Sequence, residues 1–232
     1  MLGSTGHRSR ARATLGAVRL SILGTTGLAL ALLAAPRAAA DSAQYSTRPT
    51  KPSTSGVYVI GDSITAMGAP MLNLRRPDWH INGVAGRHVQ ALGEEVAAVL
   101  AVDPTPRAIV VALGTNRAPD ALDDYDTVYR DALTAVPAAT RLLLVTPYRN
   151  RELWGAALIS DDRLRAYHAY HYARAMHDFA EARPRTCIAG WRARMNREPW
   201  RLFDGVHPKW RGRLIWARMV AESLDRCAWS AQ

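Results

Sequence analysis

Residues 57–65 read Val-Tyr-Val-Ile-Gly-Asp-Ser-Ile-Thr. The first four form a short β-branched-rich run of the kind that packs on a pleated surface. A small residue, a turn former and a hydroxyl follow, and then residues able to open a helix. A strand that passes into a helix through Gly61-Asp62-Ser63 places the Ser63 hydroxyl at the helix N-terminus, where unpaired backbone N–H groups face outward. The same pattern extends downstream. Residues 108–113 (AIVVAL) and 142–146 (LLLVT) are continuous and apolar, residues 79–84 form a weaker run, and residues 186–189 are a last short strand candidate. Unbroken rather than alternating apolarity marks strands covered on both faces. Between them Val89, Leu92, Val96 and Val99 share one helical stripe, and residues 161–181 and 209–227 are long enough for helices. Alternating strands and helices predict an α/β fold of three layers, with a parallel central sheet between two helical layers. The chain has no internal repeat. In such a sheet ligands bind at the carboxyl ends of the strands.

The chain has 232 residues, 48% apolar and 22% charged, enough for one domain with a sizeable core and too apolar for general disorder. Its net charge is +10, from 30 basic against 20 acidic residues, which raises nucleic acid or an anionic membrane as partners until the charge is located. Residues 1–40 carry Arg8, Arg10, Arg12, Arg19 and Arg37 and no acidic residue, so the rest of the chain has 25 basic against 20 acidic. Half of the excess therefore sits in one segment. There an uncharged run at 20–35 (LSILGTTGLALALLAA) is followed by Pro36 and Ala38-Ala39-Ala40. A positive start, an apolar middle and a small-residue end predict a secretory signal peptide over 1–40. The run falls short of the roughly 20 residues of a spanning helix, an uncleaved anchor being the alternative. Without an Arg-Arg pair the general secretory route is favoured over the twin-arginine one. Residues 41–55 (DSAQYSTRPTKPSTS) read as a flexible Ser/Thr/Pro-rich linker, leaving 56–232 for the domain. An exported chain with this residual charge needs no nucleic-acid partner and suits an anionic cell surface.

Cys187 and Cys227 are the two cysteines. In an exported chain an isolated pair is expected to be bridged. A catalytic thiol is the other reading, but neither cysteine sits in a nucleophile motif.

Three strand ends carry a polar cluster, GDSIT at 61–65, NGVAGR at 82–87 and GTN at 114–116, and a fourth, DGVHP at 204–208, precedes the last helix. Any one of these is an ordinary turn or cap. The set supplies what acyl transfer needs, namely a hydroxyl nucleophile, an imidazole base, a carboxylate to orient it and donors for an oxyanion. No G-x-S-x-G elbow is present, which argues against an ordinary α/β-hydrolase.

These four clusters, in this order, resemble the blocks of the SGNH hydrolases, the GDSL family of esterases and lipases, over roughly residues 56–228. The resemblance implies a flavodoxin-like three-layer sheet fold and no metal or organic cofactor. It casts Ser63 as nucleophile, His207 as base and Asp204 as the residue orienting His207. It casts the backbone N–H of Gly86, with Gly83 as the other register, and the side-chain amide of Asn116 as oxyanion donors beside the N–H of Ser63. One departure is Arg117, where many members have Asp after the Asn. The function implied is an exported serine ester hydrolase removing small acyl groups from esters or acylated carbohydrates, with cell-envelope association. An O-acyltransferase with the same triad and a catalytically silent envelope-binding module are the alternatives.

Two further features stand outside the blocks. His168, His171 and His177 share one helical region but lack acidic or Cys partners at metal-ligand spacing, so a packed or solvated helix face is preferred. Residues 148–160 and 190–203 are rich in Arg and Trp, including Trp154, Trp191 and Trp200. They read either as a sugar-stacking rim or as composition, since Arg is used 28 times and Lys twice.

Overall fold

Every residue of β1 (Val57–Gly61) is buried, and its side chains divide between two cores according to the two-residue period of a strand. Val57 and Val59 face one side, while Tyr58 and Ile60 face the other. In the computed structural model, which describes residues 45–119, 121, 124–150 and 161–227, four further strands flank it: β2 (His80–Gly83), β3 (Ala108–Ala112), β4 (Arg141–Val145) and β5 (Thr186–Ala189). All pairings are parallel and the order is β2-β1-β3-β4-β5. This is the flavodoxin-like arrangement that the family resemblance implies, and its strand order reverses between β1 and β3.

One face is covered by α1 (Ser63–Arg75) and α6 (Trp210–Arg226), whose approach is set by Gly68: a Cβ there would lie 2.3 Å from the Trp216 ring. The other face is covered by α2 (Leu92–Val102), α3 (Tyr125–Leu133) and α4 (Asp161–Ala182). Val89, Leu92, Val96 and Val99 are all buried there, as their spacing predicts. Helix α3 and the short α5 (Trp191–Arg197) had no counterpart in the sequence reading. The structure also divides the Arg/Trp stretch, because Trp191 enters the core while Trp200 stays 62% exposed.

Cys187 on β5 and Cys227 after α6 are bridged, with Cα atoms 6.3 Å apart. Among the described residues no helix is long and apolar enough to cross a membrane. The expected signal segment 1–40 and Trp154 lie outside the described residues.

Residues 45–55 correct one expectation. They lack helix and strand, but they are fastened to the domain. Tyr45 is buried in the core and its carbonyl accepts the Gly83 N–H at 2.6 Å; Arg48 pairs with Glu95 at 3.1 Å; Ser53 Oγ donates to the Asp78 carbonyl at 2.8 Å. An aromatic and a cation give this segment partners that its Ser/Thr/Pro composition conceals.

Candidate active site

The ends of β1 and β3, where the strand order reverses, carry Ser63 and Asn116. Asp62 caps α1: its Oδ1 accepts the Ile64 N–H at 2.9 Å, which starts the helix at Ser63 and leaves Ser63 half-buried at the mouth of the sheet. Burial pushes the Asp62 carboxyl up to about 6, against the opposing influence of the Ile64 N–H, Thr115, His207 and Arg149.

His207 reaches Ser63 from the loop before α6. Ser63 Oγ lies 2.9 Å from His207 Nε2, and His207 Nδ1 lies 2.5 Å from Asp204 Oδ2. An ionised carboxylate only accepts, so Nδ1–H donates to Asp204 and Nε2 is left as the acceptor for the Ser63 hydroxyl proton. Asp204 is held in turn. Its Oδ1 accepts the backbone N–H groups of Val206 (3.0 Å) and His207 (2.7 Å). Burial alone would raise the Asp204 pKa, but these bonds and the imidazole outweigh it and hold the carboxyl below its ordinary value. The loop is closed by an antiparallel bridge between Leu202 and Pro208 and by Phe203 N–H donating to the His207 carbonyl at 3.0 Å. Phe203 also stacks on the imidazole, with centroids 5.5 Å apart at 18°.

On the other side of Ser63 the chain between β2 and α2 turns at Gly86, whose φ of +75° favours a residue without Cβ, although a Cβ there would meet nothing within 4 Å. Gly83 plays a different part. A Cβ on it would lie 2.4 Å from the Ala66 nitrogen, and its N–H is taken by Tyr45. Gly86 thus lines a cavity, whereas Gly83 is packed against α1. The turn is locked by Arg87, which donates to the carbonyls of Gly61 (3.0 Å) and Asn82 (2.9 Å) and to Asn82 Oδ1 (2.9 Å). Its charge is matched by Glu95 at 3.4 Å, both side chains being about as buried as core residues; Glu95 also accepts from Asn82 Nδ2 at 2.7 Å. Asn116 Nδ2 donates to the Arg87 carbonyl at 3.4 Å, and Asn116 Oδ1 accepts from Arg149 Nη2 at 3.1 Å.

Two cavities meet these groups. One of about 730 Å³ is lined by Ser63, Met67, Met71, Phe203, His207 and Trp210. The other, about 500 Å³, is lined by Gly86, Asn116, Arg117, Leu164, Arg165 and His168.

Solved structures share this arrangement of strands and helices. The catalytic domain of Streptococcus pneumoniae peptidoglycan O-acetyltransferase A, a methylsulfonyl adduct, superposes with a TM-score of 0.62 at 22% identity, covering 74% of this chain and 93% of that one. A GDSL-like lipase structure from Parabacteroides merdae gives 0.56 at 20% identity over 77% and 99%. A carbohydrate esterase family 3 structure from Talaromyces cellulolyticus gives 0.56 at 16% identity over 73% and 96%. The chain has the SGNH hydrolase fold. It matches no protein-family model and no curated protein sequence.

Within this SGNH fold the structure brings Ser63, His207 and Asp204 into one hydrogen-bonded row and sets Gly86 and Asn116 on one cavity wall. Arg87, Glu95, Arg149 and Phe203 belong to the same site. Arg87 closes the NGVAGR cluster and Arg149 and Phe203 lie in the two Arg/Trp-rich stretches, whereas nothing in the sequence marks Glu95. The histidine region forms a packed helix face: His168 is buried, with Nδ1 hydrogen-bonded to the Tyr125 hydroxyl at 2.6 Å, and His171 stacks on the same tyrosine ring at 4.9 Å.

Proposed function

We propose that this protein is an exported serine ester hydrolase that removes small acyl groups. The observation that carries the reading is the continuous row from Ser63 Oγ through His207 to Asp204. His207 Nε2 takes the hydroxyl proton as Oγ attacks the ester carbonyl, and Asp204 stabilises the imidazolium so formed. The negative oxygen of the tetrahedral intermediate is met by the N–H groups of Ser63 and Gly86 and by the Asn116 amide. His207 returns the proton to the departing alcohol, leaving an acyl-Ser63 ester. Water, deprotonated by the same imidazole, releases the acid and restores the serine.

Protonation by His207 requires the alcohol to depart on the His207 side of the site. There Phe203 and Trp210 are 58% and 59% exposed, two ring faces beside the nucleophile, which supports an acylated carbohydrate as the alcohol partner. The likeness to a peptidoglycan O-acetyltransferase favours a second reading, in which a sugar hydroxyl rather than water accepts the acyl group. The two differ only in what resolves the acyl-enzyme, so product analysis with and without a glycan acceptor separates them. Export through the segment 1–40, cell-envelope association and a mature domain that starts near residue 56, with 45–55 packed on it, complete the reading.

Purified protein is expected to turn over an activated acetyl ester, and Ser63→Ala is expected to lower that rate by roughly 10⁴-fold or more. Equal rates for the two proteins would remove Ser63 from the reaction.

A further inference from the structure

We propose that Arg149 is a positioning residue for the oxyanion hole, fixing the Asn116 side chain with its NH₂ group toward the reacting centre. The proposal rests on the reading of Ser63 as the nucleophile of acyl transfer. A carboxamide has two ends of nearly equal size and opposite chemistry, and only the nitrogen end can donate to an oxyanion. The torsion that exchanges them is broad and roughly two-fold. A half turn would present Oδ1 to the developing negative charge, so an amide used this way needs a partner that recognises one end.

Arg149 is such a partner. A guanidinium has donors and no acceptor, so the Asn116 atom facing it is the oxygen. Nη2 donates to Asn116 Oδ1 at 3.1 Å while Nε donates to the Thr115 carbonyl at 2.9 Å. One planar group therefore grips the backbone of one residue and the side chain of the next. The opposite end of the amide agrees: Nδ2 donates one hydrogen to the Arg87 carbonyl, which can only accept, and the second hydrogen remains for substrate. A cation at Oδ1 also draws electron density from the nitrogen and makes its N–H groups stronger donors.

The anchoring of Arg149 suits the task. It follows buried Tyr148 just after β4, and its neighbour Asn150 donates its backbone N–H to the Gly205 carbonyl at 2.8 Å, inside the loop that holds Asp204 and His207. Arg149 also acts electrostatically on buried Asp62, next to Ser63. One segment thus ties the oxyanion side of the site to the acid–base side. Arg117, which immediately follows Asn116, does not do this, because its guanidinium donates to the Ala121 carbonyl.

The test compares the purified chain with Arg149→Met, which keeps the stem and removes the donors, Arg149→Lys, Asn116→Ala and the double variant Arg149→Met/Asn116→Ala, on an acetyl ester. Arg149→Met is expected to lower kcat on the order of 10-fold with KM changed less than about 2-fold, a fraction of the loss on deleting a whole oxyanion donor. Arg149→Lys, able to grip one acceptor but not both, is expected to fall between. In the Asn116→Ala background Arg149→Met is expected to cost less than about 2-fold, since the group it positions is gone. An unchanged kcat in Arg149→Met, or the same fold-loss in both backgrounds, overturns the proposal.

A second readout does not depend on turnover. The Asn116 side-chain NH₂ signals in ¹H–¹⁵N spectra, assigned by their loss in Asn116→Ala, are expected to shift or broaden in Arg149→Met, and superimposable signals overturn the proposal. If the wild-type chain shows no Ser63-dependent turnover, the esterase reading falls, and these signals alone decide whether Arg149 holds the amide.

Discussion

The arm of the site that holds His207 is made within four residues. Asp204 accepts from the backbone of Val206 and His207 and from the His207 ring, so one turn of chain sets both the carboxylate and the imidazole. The arm that holds Gly86 and Asn116 draws on Gly61, Asn82, Arg87, Glu95 and Arg149, residues on separate segments whose hydrogen bonds span 5 to 33 positions of sequence. The first arm is a local turn that any well-formed loop could present. The second exists only once β1, β2, β3 and α2 have packed, and it contains a buried ion pair between Arg87 and Glu95. Chemistry in the local arm is therefore separable from stability, whereas in the long-range arm the two are joined.

Asp204→Asn probes the local arm. The amide oxygen can still accept the two backbone N–H groups, so the loop is expected to persist, with a stability change below about 1 kcal/mol. Catalysis is expected to fall by about 10⁴-fold, because a neutral amide can stabilise the wrong imidazole tautomer and no longer supports an imidazolium. Urea unfolding together with ester turnover checks both halves. A large loss of stability would show that this arm is not local after all.

Glu95→Ala probes the other arm, with the opposite balance expected. It leaves the Arg87 guanidinium buried without its carboxylate, which costs about 3–5 kcal/mol of stability. Turnover is expected to drop by roughly 10- to 100-fold through the loosened Gly86 turn and Asn116, although Glu95 is far in sequence from Ser63 and touches neither it nor His207. Loss of stability with full kcat would separate the ion pair from the proposed oxyanion donors.

Asp62→Asn gives the smallest effect and joins the arms at Ser63. The folded-state carboxyl titrates near 6, above the value of about 3.9 for an unfolded Asp, so the folded state binds the proton more tightly. Wild-type stability is then expected to fall as pH rises from about 4 through 6 and to level off above, by about 2–3 kcal/mol in all. Asn keeps the cap acceptor for Ile64 and carries no charge, so this fall is expected to disappear. Unfolding free energies at pH 4 and pH 7.5 for both proteins check it, and parallel pH profiles would contradict it.

The same division decides what was legible in the sequence. Strands β1, β3 and β4 announce themselves because their apolar runs are buried on both faces, with Arg141, the one charged position, only at the start of β4. The tips of the site, Ser63, Gly86, Asn116, Asp204 and His207, were readable because each stands at a strand end or before a helix, in a short cluster of turn residues. The braces were not. Glu95 sits on α2 as one more acidic residue beside exposed Glu94, and only the fold shows that it is 4% exposed against Arg87. Arg149 is one of 28 arginines, and nothing local marks it as the partner of Asn116. Helix α3 escaped because its apolar residues are sparse, with Tyr129 and Leu133 carrying its burial. Trp191 and Trp200 share one Arg/Trp-rich stretch in the sequence, yet Trp191 packs into the core through α5 while Trp200 stays exposed, a distinction their sequence neighbours do not make.

Ser63, activated by His207, is proposed to be a nucleophile toward acyl centres. The intact mass of the protein after treatment with a fluorophosphonate, which traps an activated serine as a covalent ester, tests this. One adduct per chain is expected, located on Ser63 by peptide mapping and absent from Ser63→Ala. An unmodified wild-type chain, or an adduct that survives Ser63→Ala, would contradict it.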